Sequence, residues 1–367
     1  MIRNFLIAIK ASLLRQLTSS KERTLTGNDL KEIKKVLFFR YDKIGDMIIT
    51  TPVFRELKLA YPNIKITVLA SKNNKSIILN NPYVDSIFLN NKHNFFSDIS
   101  DLIKLRKQRF DLCIEFDHSV IPHAILRLKI IKPKMIFSVQ KDGRYGVQGK
   151  DLRIYNLFTE KEKNEHARVR WLNTLKPLKV MAKSLDYEIY LDISTQQKAK
   201  TFVKKFYGKL IIGINLEGDV EGKKIPFKSV GKLIENINSD FSDIVFLMFC
   251  KPTTRANLMT EVKKLGAKNV FLTYETKTIL DVAAIIKEIQ MVITPDTSIV
   301  HIASTYDKPV VSIHEMNSDS FHLFAPVSNL SETIFSPSQK SILGYSEKEL
   351  YFATKKIIHK LRFNIED

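Results

Sequence analysis

The sequence has few cysteines, few acidic residues relative to basic ones, and no apolar run long enough for a transmembrane helix. Its two cysteines, Cys113 and Cys250, lie at or beside short apolar runs typical of buried strands, without a C-x-x-C pair or a metal-ligand spacing. We interpret both as reduced core residues of an intracellular protein. Lys10 interrupts what would be a signal-peptide core, so we do not expect export. The first apolar strand is not followed by G-x-G-x-x-G, which argues against a dinucleotide-dependent oxidoreductase.

The charge of the chain is strongly basic. Its 58 Lys and Arg residues exceed its 39 Asp and Glu residues, which leaves a formal net charge of +19. A surface this basic attracts polyanions, whether nucleic acid, anionic lipid headgroups or a phosphorylated glycolipid. The basic residues are scattered and form no recognisable nucleic-acid motif, so we expect no nucleic-acid partner. A basic polyanion-binding protein without enzymatic activity stays an alternative.

Residues 1–34 are predicted to form a basic, amphipathic N-terminal segment and a polar linker. On a helical wheel the apolar residues of one broad face are Ile2, Phe5, Leu6, Ile9, Leu13 and Leu17. This pattern is compatible with a helix lying on an anionic membrane surface. It is equally compatible with a helix docked on the body of the protein.

The first α/β unit begins near residue 35. Strand, loop, helix and strand are predicted in that order over residues 36–69, which is the opening of a doubly wound sheet. Ligands of such sheets bind at the carboxyl edge of the strands. Gly45 is expected to allow a tight turn that brings Asp46 to this edge. The Asp46 carboxylate is there either a general base or a helix cap.

Four polar residues cluster at the end of a second predicted strand, and they are Glu115, Asp117, His118 and His123. Their spacing matches no usual metal-ligand pattern, so we predict no metal site and favour a polar lining for an acceptor. Residues 140–156 are a basic stretch that includes Arg144. This stretch either holds an anionic acceptor or is simply solvated.

The second half is organised around residues 291–314. Residues 291–293 form a predicted strand, residues 294–298 supply turn and cap chemistry, and the next apolar residues fall at helical spacing. The unpaired N–H groups at such a helix start suit a phosphate or diphosphate. His301 is expected one turn into the helix, facing the same cleft. The alternative is that Asp296 and Thr297 merely cap a helix.

These patterns predict an α/β protein of two similar halves with a cleft between them. We place an N-terminal domain at residues 35–180 and a C-terminal domain at residues 181–345. A C-terminal helix is expected at residues 346–367, with packing against the N-terminal domain as one option.

Three stretches resemble the motifs of one family, in that family's order. Arg40-Tyr-Asp-Lys-Ile-Gly-Asp-Met-Ile-Ile-Thr-Thr-Pro52 resembles the N-terminal signature of the family 9 glycosyltransferases, the bacterial ADP-heptose:lipopolysaccharide heptosyltransferases. Residues 166–175 resemble their His-Ala-x-x-x-x-Leu linker helix. Residues 294–303, with Lys308-Pro-Val-Val311, resemble their nucleotide-site signature. The matches together span roughly residues 35–360.

The resemblance implies a GT-B fold, in which two Rossmann-like doubly wound domains face each other across a cleft. It implies that the first domain binds the acceptor, that the second binds the nucleotide sugar, and that transfer is inverting, without a required metal or other cofactor. Asp46 matches the family's proposed catalytic base. The expected nucleotide-sugar contacts are Asn215, Lys223, Lys224, Asp296, Thr297, Ser298 and His301. The expected acceptor contacts are Arg40, Lys43, Gly45, Asp117, His118 and Arg144.

Three departures from the family pattern leave the donor open. Ser298 stands where the family often has glycine. The loop Leu216-Glu-Gly-Asp219 replaces the usual Pro-Gly-Ala type of loop and brings two carboxylates near the expected diphosphate. The loop Cys250-Lys-Pro-Thr-Thr-Arg255 lacks an acidic partner for a ribose.

We therefore expect a glycosyltransferase that adds heptose, from ADP-heptose, to a lipid A–Kdo or inner-core glycolipid of lipopolysaccharide or lipooligosaccharide. It would work in the cytoplasm, bound peripherally to the anionic inner face of the inner membrane. The alternatives are a family member that uses another nucleotide sugar and the non-enzymatic polyanion-binding protein.

Overall fold

The computed structural model divides the chain into two compact units, Met1–Asp186 and Tyr187–Asp367. It describes residues 9, 11, 12, 14–16, 18, 32–90, 95–144, 146–160, 162–218 and 220–363. The division falls a few residues beyond the expected domain boundary. Each unit contains a six-stranded sheet in which neighbouring strands are parallel.

The described part of the first unit alternates strands and helices. Its strands are β1 (Lys35–Arg40), β2 (Lys65–Ala70), β3 (Ser86–Leu89), β4 (Leu112–Glu115), β5 (Met135–Val139) and β6 (Leu157–Thr159). Its helices are α1 (Ile44–Ala60), α2 (Phe95–Lys107), α3 (Pro122–Ile131) and α4 (Ala167–Leu172), with 3-10 turns at Lys75–Ile78, Gly149–Asp151 and Asn173–Leu178. The strand order is β3-β2-β1-β4-β5-β6.

The second unit repeats this plan. Its strands are β7 (Leu210–Asn215), β8 (Ile244–Phe249), β9 (Val270–Leu272), β10 (Met291–Pro295), β11 (Val310–His314) and β12 (Ser331–Phe335). Its helices are α5 (Ile193–Val203), α6 (Phe227–Asp240), α7 (Arg255–Leu265), α8 (Ile279–Glu288), α9 (Ser298–Thr305), α10 (Ser318–Phe324) and α11 (Glu347–Phe363), with 3-10 turns at Lys204–Phe206 and Glu221–Lys223. The strand order is β12-β11-β10-β7-β8-β9.

Both strand orders follow the doubly wound pattern, in which the first and fourth strands of a unit are neighbours. These neighbours are β1 and β4 in the first unit, and β7 and β10 in the second. In such sheets the chain reverses direction across the sheet at this pair, and the crevice beyond the carboxyl ends of the two strands binds ligands. The fold therefore places one candidate site after β1 and β4, and another after β7 and β10.

The central strands are apolar because helices cover both faces of a parallel doubly wound sheet. Every residue of β7 and β8 is buried, and β1 is buried from its second residue onward. These strands are the continuous apolar runs that the sequence predicts. The predicted strand, loop, helix and strand over residues 36–69 are confirmed as β1, α1 and β2.

Part of the described N-terminal segment docks on the first unit. Ala11 and Leu14 are buried in the same apolar cluster as residues of β1. The Arg15 guanidinium donates to the Gly146 carbonyl oxygen at 3.0 Å, whereas Ile9 is exposed. The docked-helix alternative therefore applies to these residues. The other members of the predicted apolar face lie outside the described residues, and they are Ile2, Phe5, Leu6, Leu13 and Leu17.

One expectation, the tight turn at Gly45, is corrected by the fold. Gly45 lies inside the first turn of α1 and not in a tight turn before it, and its φ is not positive. Asp46 is therefore positioned by the start of the helix at Ile44. The C-terminal helix α11 packs within the second unit, where its Leu350 and Ile357 side chains belong to the core around β7. Within the described ranges, no helix has the length and apolarity to cross a membrane.

Candidate active site

Asp46 lies in the first turn of α1, just past the carboxyl end of β1. The Lys43 backbone N–H donates to its Oδ2 at 3.3 Å, and an Arg40 nitrogen lies 3.7 Å from its Oδ1. An acidic side chain in the first turn also interacts favourably with the helix dipole. The carboxylate is contacted at both oxygens, yet 18% of its side chain stays exposed. The helix-cap alternative is thus confirmed, and the same carboxylate is partly open to solvent, so the general base stays a prediction.

Arg40 contacts the backbone of Asp46 and the carboxylates of Asp42 and Asp46. Its Nε donates to the Asp46 carbonyl oxygen at 3.2 Å, and one terminal nitrogen donates to Asp42 Oδ2 at 2.9 Å. The guanidinium carbon lies 3.8 Å from the ring centroid of Trp171 on α4. Because Arg40 is buried and directed at these groups, its geometry suits positioning of Asp46 better than the predicted contact with an acceptor.

A buried charge network follows β4. Lys141 Nζ lies 2.5 Å from Glu115 Oε2, and the Tyr155 hydroxyl donates to the same oxygen at 3.1 Å. Burial opposes ionisation of Glu115, but the Lys141 charge and the hydrogen bonds from Lys141 and Asp117 together outweigh it and lower the Glu115 pKa. Burial, together with the neighbouring Glu115 charge, raises the pKa of Asp117 to about 9. Asp117 is therefore protonated at neutral pH and can donate a hydrogen bond.

His118 completes the polar cluster after β4. Its ring stacks on Trp171 with centroids 6.3 Å apart. Burial, aided by the charges of Arg170 and Arg40, lowers its pKa to about 4, so the ring is neutral at pH 7. Among the described residues no three His, Cys, Asp or Glu side chains are grouped so as to hold a metal ion.

The other predicted acceptor residues differ in their settings. Lys43 is exposed beside Asp46, at the position before α1, and Gly45 is buried in the first turn of that helix. Arg144 lies in an exposed turn that is closed by backbone hydrogen bonds with Val147. The structure thus groups Arg40, Lys43 and Gly45 around Asp46, and it places Arg144 in a turn of its own.

In the second unit, β10 leads directly into a helix start. The chain leaves the sheet at Pro295, and Thr297 caps α9 by accepting from the Ile299 N–H at 3.3 Å. Ser298 is the first residue of α9. The predicted strand, turn and helix at residues 291–303 are therefore confirmed. The first N–H groups of α9 lie at the carboxyl edge of the sheet, where they can bind an anion.

Lys223 reaches this helix start. Its Nζ lies 2.7 Å from Asp296 Oδ2 and 3.3 Å from Glu315 Oε1. Burial opposes the charge on Lys223, but these two carboxylates outweigh it and raise its pKa. Burial likewise opposes ionisation of Asp296, yet His314 and Lys223 lower its pKa.

The neighbouring residues Lys223 and Lys224 have different contacts. Lys224 is exposed and pairs with Glu221 at 2.5 Å. Lys223 is therefore the lysine at the predicted nucleotide site. Sequence reasoning missed Glu315, although its place directly after β11 marks it as a residue of the same sheet edge.

Asn215 joins the loop after β7 to the helix start. Its amide nitrogen lies within 3.0 Å of Thr294 Oγ1 and within 3.4 Å of Thr297 Oγ1. The same amide donates to the Glu217 carbonyl oxygen at 3.0 Å, and its oxygen accepts from the Glu217 N–H at 3.2 Å. One buried side chain therefore fixes both the cap of α9 and the course of the neighbouring loop.

The Glu217 carboxylate accepts hydrogen bonds from the loop after β8. The Thr254 hydroxyl donates to one oxygen, and the Lys251 N–H donates to the other at 3.3 Å. The expected electrostatic conflict between Glu217 and a diphosphate is thus reduced, because hydroxyl and N–H donors contact this carboxylate. Asp219, the second acid of that loop, lies outside the described residues.

The His301 side chain on α9 is buried, and its predicted contact with the nucleotide sugar stays a prediction. It is 5% exposed, and its ring lies edge-on to Tyr187 with centroids 6.2 Å apart. Burial lowers its pKa to about 4, so it is neutral at pH 7. Its Nδ1 has no hydrogen-bond partner among the described residues. A contact with a nucleotide sugar would therefore be a hydrogen bond and not an ion pair.

Comparisons with known proteins agree with this architecture. The model of glycosyltransferase family 9 (heptosyltransferase) matches residues 102–347, which is more than half of the chain. An Escherichia coli K12 protein named "Putative lipopolysaccharide heptosyltransferase 4" is 22% identical over 292 residues, or 78% of this chain and 76% of that protein.

Two solved structures are similar over nearly their whole length. The glycosyl transferase family 9 protein from Veillonella parvula DSM 2008 aligns with a TM-score of 0.74 at 16% identity, over 92% of this chain and 100% of that chain. The E. coli heptosyltransferase WaaC, solved with ADP, aligns with a TM-score of 0.67 at 16% identity, over 89% and 98% of the two chains.

The fold likeness confirms the predicted GT-B class, and the family match sets aside the oxidoreductase and the non-enzymatic polyanion-binding protein. The chain belongs to glycosyltransferase family 9, the heptosyltransferase family, and it is a glycosyltransferase.

Proposed function

We propose that this protein transfers heptose from ADP-heptose to a lipid A–Kdo or inner-core glycolipid of lipopolysaccharide. The family assignment and the name of the E. coli relative support the sugar and the pathway. WaaC structures solved with ADP and with ADP-2-deoxy-2-fluoro heptose support the donor. We also propose that the protein acts at the cytoplasmic face of the inner membrane, because a charge of +19 suits an anionic surface.

The observation that carries the catalytic part is the Asp46 carboxylate, which is hydrogen-bonded yet partly open to solvent. In the proposed reaction Asp46 takes the proton from an acceptor hydroxyl while that oxygen attacks the anomeric carbon. The new C–O bond forms on the face opposite the diphosphate. The bond from the anomeric carbon to the diphosphate oxygen breaks with its electron pair, so the nucleoside diphosphate leaves and the configuration inverts.

The leaving diphosphate would bind at the start of α9. One ammonium, Lys223, faces two carboxylates, Asp296 and Glu315, so these three side chains carry a net negative charge. In this proposal the backbone N–H groups of α9 therefore supply most of the phosphate binding. The role of Lys223 is to stay protonated and to offset the charge of the two carboxylates as the diphosphate leaves.

The acceptor would bind at the carboxyl edge of the first sheet. Exposed Lys43, next to Asp46, supplies a cation for a phosphate or carboxylate of the glycolipid. Protonated Asp117, which hydrogen-bonds Glu115, and neutral His118, whose ring nitrogens are buried, add no charge to this edge. A lining without further charge suits a sugar.

The test of the base compares Asp46→Asn with Asp42→Asn. Both variants remove one carboxylate charge next to Arg40, so they are a matched pair. We expect Asp46→Asn to lower kcat by about 10²–10⁴-fold, the usual contribution of a general base, while donor affinity stays unchanged. Asp42→Asn should retain most activity. Normal turnover by Asp46→Asn would remove this residue from the mechanism.

A second candidate is a family member that uses another nucleotide sugar. The Leu216–Asp219 loop favours it, since its sequence departs from the family pattern beside the proposed donor site. Calorimetric titration with ADP, UDP, GDP and CDP, with and without magnesium, separates the two. Selective ADP binding supports ADP-heptose, and selective binding of another nucleotide replaces it.

A further inference from the structure

In nucleotide-binding doubly wound sheets, an acidic residue after the second strand commonly hydrogen-bonds the ribose hydroxyls. The second strand of the second unit is β8, which pairs with β7. The segment after β8, Cys250 to Arg255, contains no Asp or Glu. The segment after β8 therefore supplies no ribose-binding acid.

The structure brings a carboxylate to this place from another loop. Glu217, which follows β7, accepts hydrogen bonds from the Lys251 N–H and the Thr254 hydroxyl, both in the segment after β8. Lys251 Nζ is 3.9 Å from the same carboxylate. These three contacts place the Glu217 carboxylate at the carboxyl end of β8, where the segment after that strand has no acidic residue of its own.

The Glu217 backbone is also tied to the proposed phosphate site. Asn215 bonds both the carbonyl and the N–H of Glu217, and the same amide reaches Thr297 at the start of α9. Asn215 thus links the loop that carries this carboxylate to the start of α9, where the first N–H groups lie. A ribose next to a phosphate bound there would lie within this span.

The carboxylate has capacity left for a ligand. An ionised carboxylate offers about four lone-pair positions, of which two are used by Thr254 and the Lys251 N–H. Its side chain is 15% exposed, so it is not sealed in the core. A vicinal diol supplies two O–H donors that match the remaining positions.

We propose that Glu217 binds the ribose hydroxyls of the donor nucleotide and makes the site selective for ribonucleotides over deoxyribonucleotides. This inference rests on the proposed nucleotide-sugar donor in the second unit, and it adds the residue that recognises the sugar of the nucleotide.

The experiment is calorimetric titration of the full-length protein with ADP, 2′-deoxy-ADP and 3′-deoxy-ADP. The variants are Glu217→Gln and, as matched control, Glu221→Gln in the same loop, whose exposed side chain pairs with Lys224. Glutamine can still accept from Thr254 and the Lys251 N–H, so the loop contacts are retained.

We expect the unaltered protein to bind ADP at least about 10-fold more tightly than one of the deoxy analogues, the scale of a hydrogen bond to a charged group. Glu217→Gln should lose affinity for ADP and reduce that preference to near unity, while Glu221→Gln keeps both. An equal loss for ADP and both deoxy analogues in Glu217→Gln would indicate a purely structural role and overturn the inference. A retained preference would overturn it as well.

The failure of the proposed function gives a different result. If the unaltered protein binds no nucleoside diphosphate in the four-nucleotide titration, the donor proposal itself is wrong. If it selects another base, the same comparison is made with that nucleotide and its deoxy analogues, and the inference about Glu217 is tested unchanged.

Discussion

At the scale of single residues, the site in the first unit depends on one buried arginine. Arg40 is the last residue of β1, so its side chain belongs to the strand while its partners Asp42 and Asp46 belong to the loop and helix that follow. Trp171 covers its guanidinium from α4. A planar guanidinium can stack and form several directed hydrogen bonds at once, which the ammonium of lysine cannot.

Arg40→Lys should therefore lower kcat by about 10-fold or more, since the side chain that orients the base loses its directed bonds. Donor affinity should not change, because the proposed donor residues belong to the second unit. Trp171 is the only tryptophan in the chain, so its fluorescence emission reports directly on the stacked guanidinium and should shift in the variant. Arg106→Lys, at an exposed position, is the control. Unchanged emission together with unchanged kcat would contradict a positioning role.

The buried neutral histidines predict a pH dependence of stability. The pKa of His301 is about 4 in the folded protein, against about 6.5 in an unfolded chain. Between these values the unfolded state binds more protons, so the free energy of unfolding falls as the pH falls from about 6.5 towards 4. At about 1.4 kcal/mol per pKa unit, His301 alone accounts for about 3 kcal/mol.

His301→Gln should flatten this dependence, whatever its effect on stability at pH 7. Differential scanning calorimetry between pH 7 and pH 4.5 measures it, and His359→Gln, at an exposed position, is the control. His118 has the same direction of shift, so part of the dependence should persist in the single variant and decrease further in the double variant. An unaltered pH dependence in His301→Gln would show that this ring is not held neutral.

At the scale of elements, sequence predicts best what is local. β7 and β8 are largely apolar runs, and the capping residue Thr297 indicates the start of α9. β6 is only three residues long and lies at the edge of its sheet. Such a short edge strand has little periodicity of its own, and its pairing with β5 defines it.

In the candidate site, too, the sequence predicts what is local and misses contacts between distant residues. Asp46 and Asp296 are candidates from the sequence because each follows a strand at the carboxyl edge, whereas the sequence leaves Lys223 and Lys224 as alternatives. The contact between Glu217 and Thr254 joins residues 37 positions apart, and it depends on how two loops are folded. The burial of His301 was likewise not predicted, because helical spacing alone does not show what packs against a helix.

The start of α9 supplies an element-scale prediction. Lys223→Gln leaves Asp296 and Glu315 without their cation at the proposed phosphate site. We expect ADP affinity to fall about 10-fold or more, since two uncompensated carboxylates repel a diphosphate. Lys224→Gln removes the same charge one residue away, where the side chain is exposed, and should change affinity by no more than about two-fold. Calorimetric titration of both variants measures this, and equal losses would mean that only the summed charge matters.

At the scale of the whole molecule, two features could contribute to the proposed membrane binding: the excess of basic residues and the N-terminal segment. Ala11 and Leu14 pack into the first unit, whereas Ile9 of the same segment is exposed. Long-range attraction by a charge of +19 is screened by salt within a Debye length of about 8–10 Å at physiological ionic strength. Insertion of an apolar side chain depends much less on salt. The two modes of membrane binding can therefore be separated.

We expect sedimentation with vesicles that contain phosphatidylglycerol, weak sedimentation with phosphatidylcholine alone, and a steep loss of binding as salt increases. Ile9→Glu tests for insertion, and Leu59→Glu, which places the same charge at another exposed apolar position of the first unit, is the matched control. A larger loss for Ile9→Glu than for Leu59→Glu means that the N-terminal segment contacts lipid, while equal small losses mean that dispersed charge alone holds the protein there. Binding to DNA that equals binding to anionic vesicles at every salt concentration would contradict a specific role of the membrane surface, because a non-specific polyanion attraction would then account for both.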